Sequence, residues 1–269
     1  VLEAIKELNF PIFILTKSSL VERDIDLIGE INGQNLAIVA FSITSLEDEV
    51  WKTWEPQASP PEERLRVIGK FSKMGVPTGV VIMPILPFIS DSTESIEKLV
   101  SRAKMEGASF IIAGGLMLRD RQKKYYYQKL QEKHPELIPK YSQICSEQGY
   151  HANEEYNQKI NSTVLEACRK YEIPLRIPHK LFHGKIPIKD ECSHLLQQIA
   201  YFLDITGKRG SAYRKAANQI FKTTQDIVKL TKEEKITKIP GVGEKIGKII
   251  QEIVQNGESE YYLNLMELA

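Results

Sequence analysis

The chain has 269 residues, 42% of them hydrophobic and 26% charged, the balance of a folded globular protein with room for two domains. A net charge of +1 excludes a polycation, so any nucleic-acid contact has to come from a local basic patch. No apolar run approaches the roughly 18–20 residues of a membrane span, and no signal peptide is evident.

The first residues, Val1 to Asn9, read as the end of a helix running into a strand. Pro11-Ile12-Phe13-Ile14-Leu15-Thr16 is too short and too β-branched for a buried helix and predicts a strand. Val21 to Ile31 has helical spacing and meets a stop signal at Asn32-Gly33. Leu36 to Ile43 is the next strand. Ser59-Pro60-Pro61-Glu62-Glu63 predicts a helix start, with Ser59 as cap, proline in the first turn and acids against the dipole; Met74-Gly75 ends it. Thr78 to Leu86 is a third strand, Ser92 to Glu106 a helix and Ser109 to Leu118 a fourth strand. Apolar strands alternating with helices imply a parallel sheet with right-handed crossovers, either an open sheet or a barrel. In both, strand C-terminal ends carry the chemistry. Thr16-Lys17-Ser18, Ser42 and Thr44 stand there.

Beyond residue 120 the chain turns polar. Tyr125-Tyr126-Tyr127 begins a charged helix broken near His134-Pro135, Asn157 to Tyr171 forms another, and Ile173 to Pro187 is Pro-rich and irregular. Gly184 to Asp190 reads as a linker. From Ser193 onward strand signals vanish, and Lys and Arg slightly outnumber Asp and Glu. The three cysteines, Cys145, Cys168 and Cys192, are spaced too widely for a clustered metal motif and suit reduced thiols in the cytoplasm. The expected domains are 1–120, an extension and linker at 121–190, and an all-helical domain at 191–269.

Ile239-Pro240-Gly241-Val242-Gly243 places two glycines around one apolar residue, directly before a helix start. Glycine admits positive φ and lets a phosphate approach the backbone, and a helix N-terminus offers free N–H groups. The amides of Gly241 and Gly243 with Lys245 and Lys248 would meet phosphates without reading bases. With Tyr213-Arg214-Lys215-Ala216-Ala217 upstream and Asn256-Gly257 downstream, Leu195 to Leu268 resembles the N-terminal helix-hairpin-helix domain of family-X DNA polymerases. That resemblance implies sequence-independent DNA binding, with Tyr213, Arg214 and Lys215 among the contacts. It also implies a monovalent cation on the backbone carbonyls of Thr237, Ile239 and Val242. Some family members use a lysine of the second hairpin helix as a Schiff-base nucleophile; Ile249 stands at that position, so lyase chemistry is not expected here.

Leu15-Thr16-Lys17-Ser18, Arg23 to Leu27, Phe41 to Glu49, Trp54-Glu55-Pro56, Pro60 to Leu65 and Gly75 to Pro87 together resemble the spore photoproduct lyase-like radical SAM proteins. The resemblance implies a TIM-like barrel, S-adenosylmethionine held through its carboxylate by Lys17 and hydrogen-bonded by Ser42, and a [4Fe–4S] cluster. A DNA-repair role would follow. Glu55 and Arg64 suggest a structural ion pair. The family's cysteine triplet precedes the first strand seen here, and this sequence contains none. The expectation is therefore a partial α/β barrel of parallel strands, lacking its cysteine-cluster region and open at the edge strand 11–16, followed by an all-α helix-hairpin-helix domain. The rival expectations are a non-enzymatic DNA-binding adaptor and a tail that binds protein.

Overall fold

The computed structural model describes residues 1–145 and 151–268, so a short piece of the expected 121–190 extension lies outside it. The chain divides into two compact units, Val1–Ile177 and Pro178–Ala269. The boundary falls inside the Pro-rich stretch, and Gly184 to Asp190 belongs to the second unit. Among the described residues no helix is long and apolar enough to cross a membrane.

The first unit begins with α1 (Leu2–Glu7), β1 (Ile12–Thr16), α2 (Ile25–Gln34), β2 (Ala37–Ser42), α3 (Asp48–Trp54) and α4 (Pro61–Lys73). β3 (Thr78–Ile85), α5 (Thr93–Met105), β4 (Phe110–Gly115), α6 (Asp120–Lys133), α7 (Ile138–Ile144) and α8 (Glu154–Lys170) follow. The strands are parallel and ordered β1-β2-β3-β4. Sequential order with no reversal distinguishes a barrel wall from a doubly wound sheet, whose order switches direction. This is a partial barrel. β2 is buried along its whole length, as a strand covered on both faces must be. Phe13 and Leu15 on β1 are exposed, so the open edge expected at residues 11–16 is present. The β4 edge is partly covered: the Ile111 N–H donates to the Pro174 carbonyl and the Arg176 N–H to that of Ile111, both at 2.8 Å.

Local sequence explains most helix ends. Ser92 Oγ accepts from the Ser95 N–H and opens α5 as expected. The charged helix expected from Tyr125 starts earlier, at Asp120, and two further ends differ for a visible reason. Asn32-Gly33 does not end α2, because the Asn32 side chain bonds the Gly75 carbonyl and the Ala37 N–H and the helix runs on to Gln34. The cap of α4 is Pro60 rather than Ser59, whose hydroxyl accepts from the Ser19 N–H instead. α3 was not foreseen. It packs with α6 and α7 over the strand C-terminal ends through Val50, Leu86, Leu116, Leu118, Leu130 and Tyr141.

The second unit is helical: α9 (Ile188–Ile205), α10 (Ser211–Lys222), α11 (Ile227–Lys232), α12 (Glu244–Asn256) and α13 (Glu260–Leu268). Ile246, Ile249, Ile250 and Ile253 recur at helical spacing and bury one face of α12. Gly257, at φ +74°, ends that helix in the left-handed conformation.

Candidate functional site

In the first unit a cavity of about 400 Å³ opens beside the C-terminal ends of the strands. Lys17, Thr44, Trp54, Glu55, Leu86 and Tyr125 are part of its wall. Lys17, directly after β1, is about half exposed and donates to Glu55 Oε1 at 2.7 Å. The same oxygen accepts from Thr44 Oγ1 at 2.9 Å, and Glu55 Oε2 takes both Nη1 and Nη2 of Arg64 at 3.0 Å. Arg64 is fully buried and also donates to the carbonyls of Ser42 and Ser59. The sequence reading took Glu55 and Arg64 as a structural ion pair, and the geometry agrees. The pair is buried, with both terminal nitrogens of Arg64 on one oxygen of Glu55, which makes it a fixed element of the site.

Burial by itself would raise the Glu55 carboxyl, but Lys17, Arg64 and Thr44 outweigh it and hold the group below its ordinary value. Burial lowers the Arg64 guanidinium from its ordinary value, opposed by Glu55. One carboxylate thus faces two cations, leaving the cluster one positive charge in excess. Ser42 is buried, donates to the Met83 carbonyl at 3.1 Å and is not among the residues lining the cavity. The hydroxyl on the cavity wall is that of Thr44, two residues on. Trp54 stacks on Tyr126 at 4.8 Å, and its buried indole N–H has no hydrogen-bond partner.

In the second unit, Ile239 and Val242 are buried and pin the hairpin against the helices, leaving Gly241 and Gly243 outside. Gly241 sits at φ +82°. Gly243 has ordinary backbone angles, and a side chain built there would meet nothing within 4 Å. Neither glycine N–H donates to a described residue. Lys248 is 76% exposed and 4.0 Å from Glu252. Lys245 lies 4.0 Å above the Tyr261 ring, which stacks on Tyr213 with 7° between planes. Tyr213 is buried, so its ring supports this stack from within rather than meeting solvent. Arg214 pairs with Asp204, and Lys215 is exposed. The Ile239 carbonyl accepts from the Val242 N–H at 3.0 Å, while Thr237 lies in the short 3-10 turn Ile236–Lys238. Ile249 is buried in the helical core. Tyr261, on the unforeseen α13, is the residue the sequence reading missed.

The radical SAM superfamily model matches residues 1–133, and the helix-hairpin-helix domain model matches residues 189–259. The chain joins a radical SAM domain to a helix-hairpin-helix domain. An uncharacterized protein of Mycobacterium tuberculosis strain H37Rv is 29% identical over 163 residues, covering 61% of this chain and 48% of the relative. An uncharacterized protein of Acidianus two-tailed virus is 34% identical over 111 residues, covering 40% and 36%. A double mutant of spore photoproduct lyase, solved with bound AdoMet and dinucleoside spore photoproduct, aligns at TM-score 0.50 and 18% identity, covering 65% of this chain and 54% of that one. That likeness is one of fold. The chain spans about half the length of the curated mycobacterial relatives it matches. The helix-hairpin-helix domain is of a DNA-binding type.

Proposed function

We propose that this chain binds S-adenosylmethionine at the strand ends of its radical SAM domain and acts on, or repairs, DNA that its helix-hairpin-helix domain grips by the backbone. In this reading residues 1–120 hold the ligand, 121–190 extend and connect, and 191–269 hold DNA. The carrying observation is Lys17. Glu55 occupies one of its N–H groups, and its partly exposed ammonium lines a ligand-sized cavity in a cluster with surplus positive charge. A carboxylate fits there. Thr44 adds a polar contact on a wall that also carries Trp54, Leu86 and Leu116, which suits a ligand with an ionic end and a flat base. Ser42 enters this reading through its carbonyl, which fixes Arg64 and thereby Glu55. In radical SAM proteins the sulfonium of this ligand is what one electron cleaves.

The cysteines here do not fit a [4Fe–4S] cluster. Burial pushes the Cys168 and Cys192 thiols up to about 12, and among the described residues no three His, Cys, Asp or Glu are grouped to hold a metal. The second reading is a DNA-binding adaptor without catalysis. Three free thiols support a reducing, cytoplasmic setting for either.

On the DNA side the proposed contacts are the amides of Gly241 and Gly243 with Lys245, Lys248, Arg214 and Lys215, while Tyr213 supports Lys245 through Tyr261. A monovalent cation on the carbonyls of Thr237, Ile239 and Val242 would order the hairpin. Equilibrium dialysis with S-adenosylmethionine tests the first half: binding by the native chain and loss in Lys17→Ala are expected, and no binding by the native chain sinks it. Gel shifts with duplex, nicked and gapped DNA at low salt test the second. No shift with any of the three removes the DNA role. Anaerobic reconstitution of the full-length gene product with iron and sulfide, followed by assay of S-adenosylmethionine cleavage, separates the enzyme from the adaptor.

A further inference from the structure

Tyr125, Tyr126 and Tyr127 begin one turn into α6, and the structure divides their labour. Tyr126 stacks on Trp54 and shares a 2.7 Å hydrogen bond with the buried Tyr141 hydroxyl. Tyr127 packs edge-on against both Tyr126 and Tyr141. Tyr125 is 67% exposed, makes no ring contact with a described residue and lines the mouth of the 400 Å³ cavity together with Lys129 and Met117. Tyrosine is a middling helix former, so propensity alone gives no reason for one so exposed on a helix.

The same helix is strongly basic in a nearly neutral protein. Arg119, Arg121, Lys123, Lys124, Lys129 and Lys133 face only Asp120 and Glu132. Lys133 pairs with Glu132, whereas Arg121, Lys124 and Lys129 make no ion pair or hydrogen bond with a described residue. Residues 121, 125 and 129 are one turn apart, so the uncompensated cations bracket the exposed ring on one face.

We propose that this face of α6 binds single-stranded nucleic acid, with a base stacked on Tyr125 and the flanking phosphates on Arg121 and Lys129. An aromatic ring inside a run of unpaired cations supplies the two contacts an unpaired strand needs, a π-face for the base and positive charge for the backbone. A base still inside a duplex stack has no free face to lay on an exposed ring, so the strand that meets Tyr125 is unpaired. The inference rests on the proposed function only in taking the partner to be nucleic acid, and it adds a second contact that is separate from the hairpin.

The test uses the full chain carrying Lys245→Ala, which removes a hairpin contact, and a single-stranded oligonucleotide with one 2-aminopurine. Binding is expected to quench the 2-aminopurine emission. Tyr125→Ala should abolish the quench and weaken binding about fivefold or more, while Tyr125→Phe keeps both. Arg121→Ala and Lys129→Ala should each lower the slope of log affinity against log salt by roughly 0.7. An unchanged quench in Tyr125→Ala overturns the proposal. So does competition by polyglutamate as effective as by the oligonucleotide, which would point to an acidic protein partner. Dialysis of S-adenosylmethionine against the same preparations keeps the two readings apart: loss of that binding with strand binding intact strikes only the function proposed above, and the reverse strikes only this one.

Discussion

Glu55 bridges Lys17 and Arg64, taking the first at 2.7 Å on Oε1 and both terminal nitrogens of the second at 3.0 Å on Oε2. The two cations are not equivalent. Lys17 is partly solvated and can leave the pair without stranding a charge, whereas Arg64 is fully buried and cannot. This asymmetry leaves the Lys17 end of the bridge open to a ligand.

Removing either end should therefore have unequal effects. Glu55→Ala leaves Arg64 buried and uncompensated and is expected to cost about 3–5 kcal/mol in urea unfolding. Lys17→Ala should cost at most about 1 kcal/mol, since its charge is partly screened by water. Equal losses in the two variants would refute the asymmetry. The bridge also sets a pH dependence. Because the folded Glu55 carboxyl lies below its ordinary value, its stabilisation is complete above the usual carboxylate range and is lost as pH falls through the folded value.

The two hairpin glycines separate fold from function. Gly241 holds φ +82°, so Gly241→Ala strains the turn and should lower the thermal midpoint by a few degrees. Gly243 has open space around it and a permitted backbone, so Gly243→Ala should leave the midpoint within about a degree while weakening DNA binding, because the added methyl stands where a phosphate would approach. If Gly243→Ala melts early instead, the open space at that position has a structural use and the phosphate role falls.

Lys245 and Lys248 flank the hairpin on the exposed side of α12, but only Lys245 is pre-placed, over the Tyr261 ring. Lys245→Ala should weaken binding of all duplex sequences alike and reduce the salt slope by about 0.9. Tyr261→Leu should give a smaller loss by freeing the lysine side chain. A sequence-dependent loss in either variant would show base contacts and contradict a backbone grip.

The alternating pattern made the parallel strands legible, because β2 and β3 are apolar along nearly their whole length, and residue order along the chain became strand order in space. The hairpin was legible because Gly241 needs a conformation that few other residues adopt. What could not be read was local competition for the same polar groups. Asn32 resembles a helix stop, yet its amide finds Gly75 and Ala37 across the fold, and Ser59 resembles a cap, yet its hydroxyl finds Ser19. The cavity was half legible. Lys17 and Thr44 fall at strand ends, but Trp54 and Glu55 arrive from a short helix whose apolar residues are too few to show a period. Tyr261 was missed because it lies on α13, past the Asn256-Gly257 stop at which the sequence reading ended its last helix.

Acid should loosen the second unit through His179. This residue is 3% exposed and stacks 6.2 Å from His194, with the edge of Tyr262 at 6.3 Å and His183 nearby. Burial first, then the two neighbouring histidines, pull its pKa down to about 4. An unfolded histidine titrates near 6.5, so between about 6.5 and 4 the unfolded chain takes up a proton that the folded chain refuses. Stability from this site is thus complete above about pH 6.5 and is withdrawn as pH falls toward 4, by roughly 3 kcal/mol at the limit. Both tryptophans, Trp51 and Trp54, lie in the first unit, so tryptophan emission is blind to the change. Helical circular dichroism over a pH series should instead show part of the signal melting earlier at pH 5 than at pH 7.5. His179→Phe fills the same space without titrating and should flatten that dependence. If it does not, the acid sensitivity arises elsewhere in the unit.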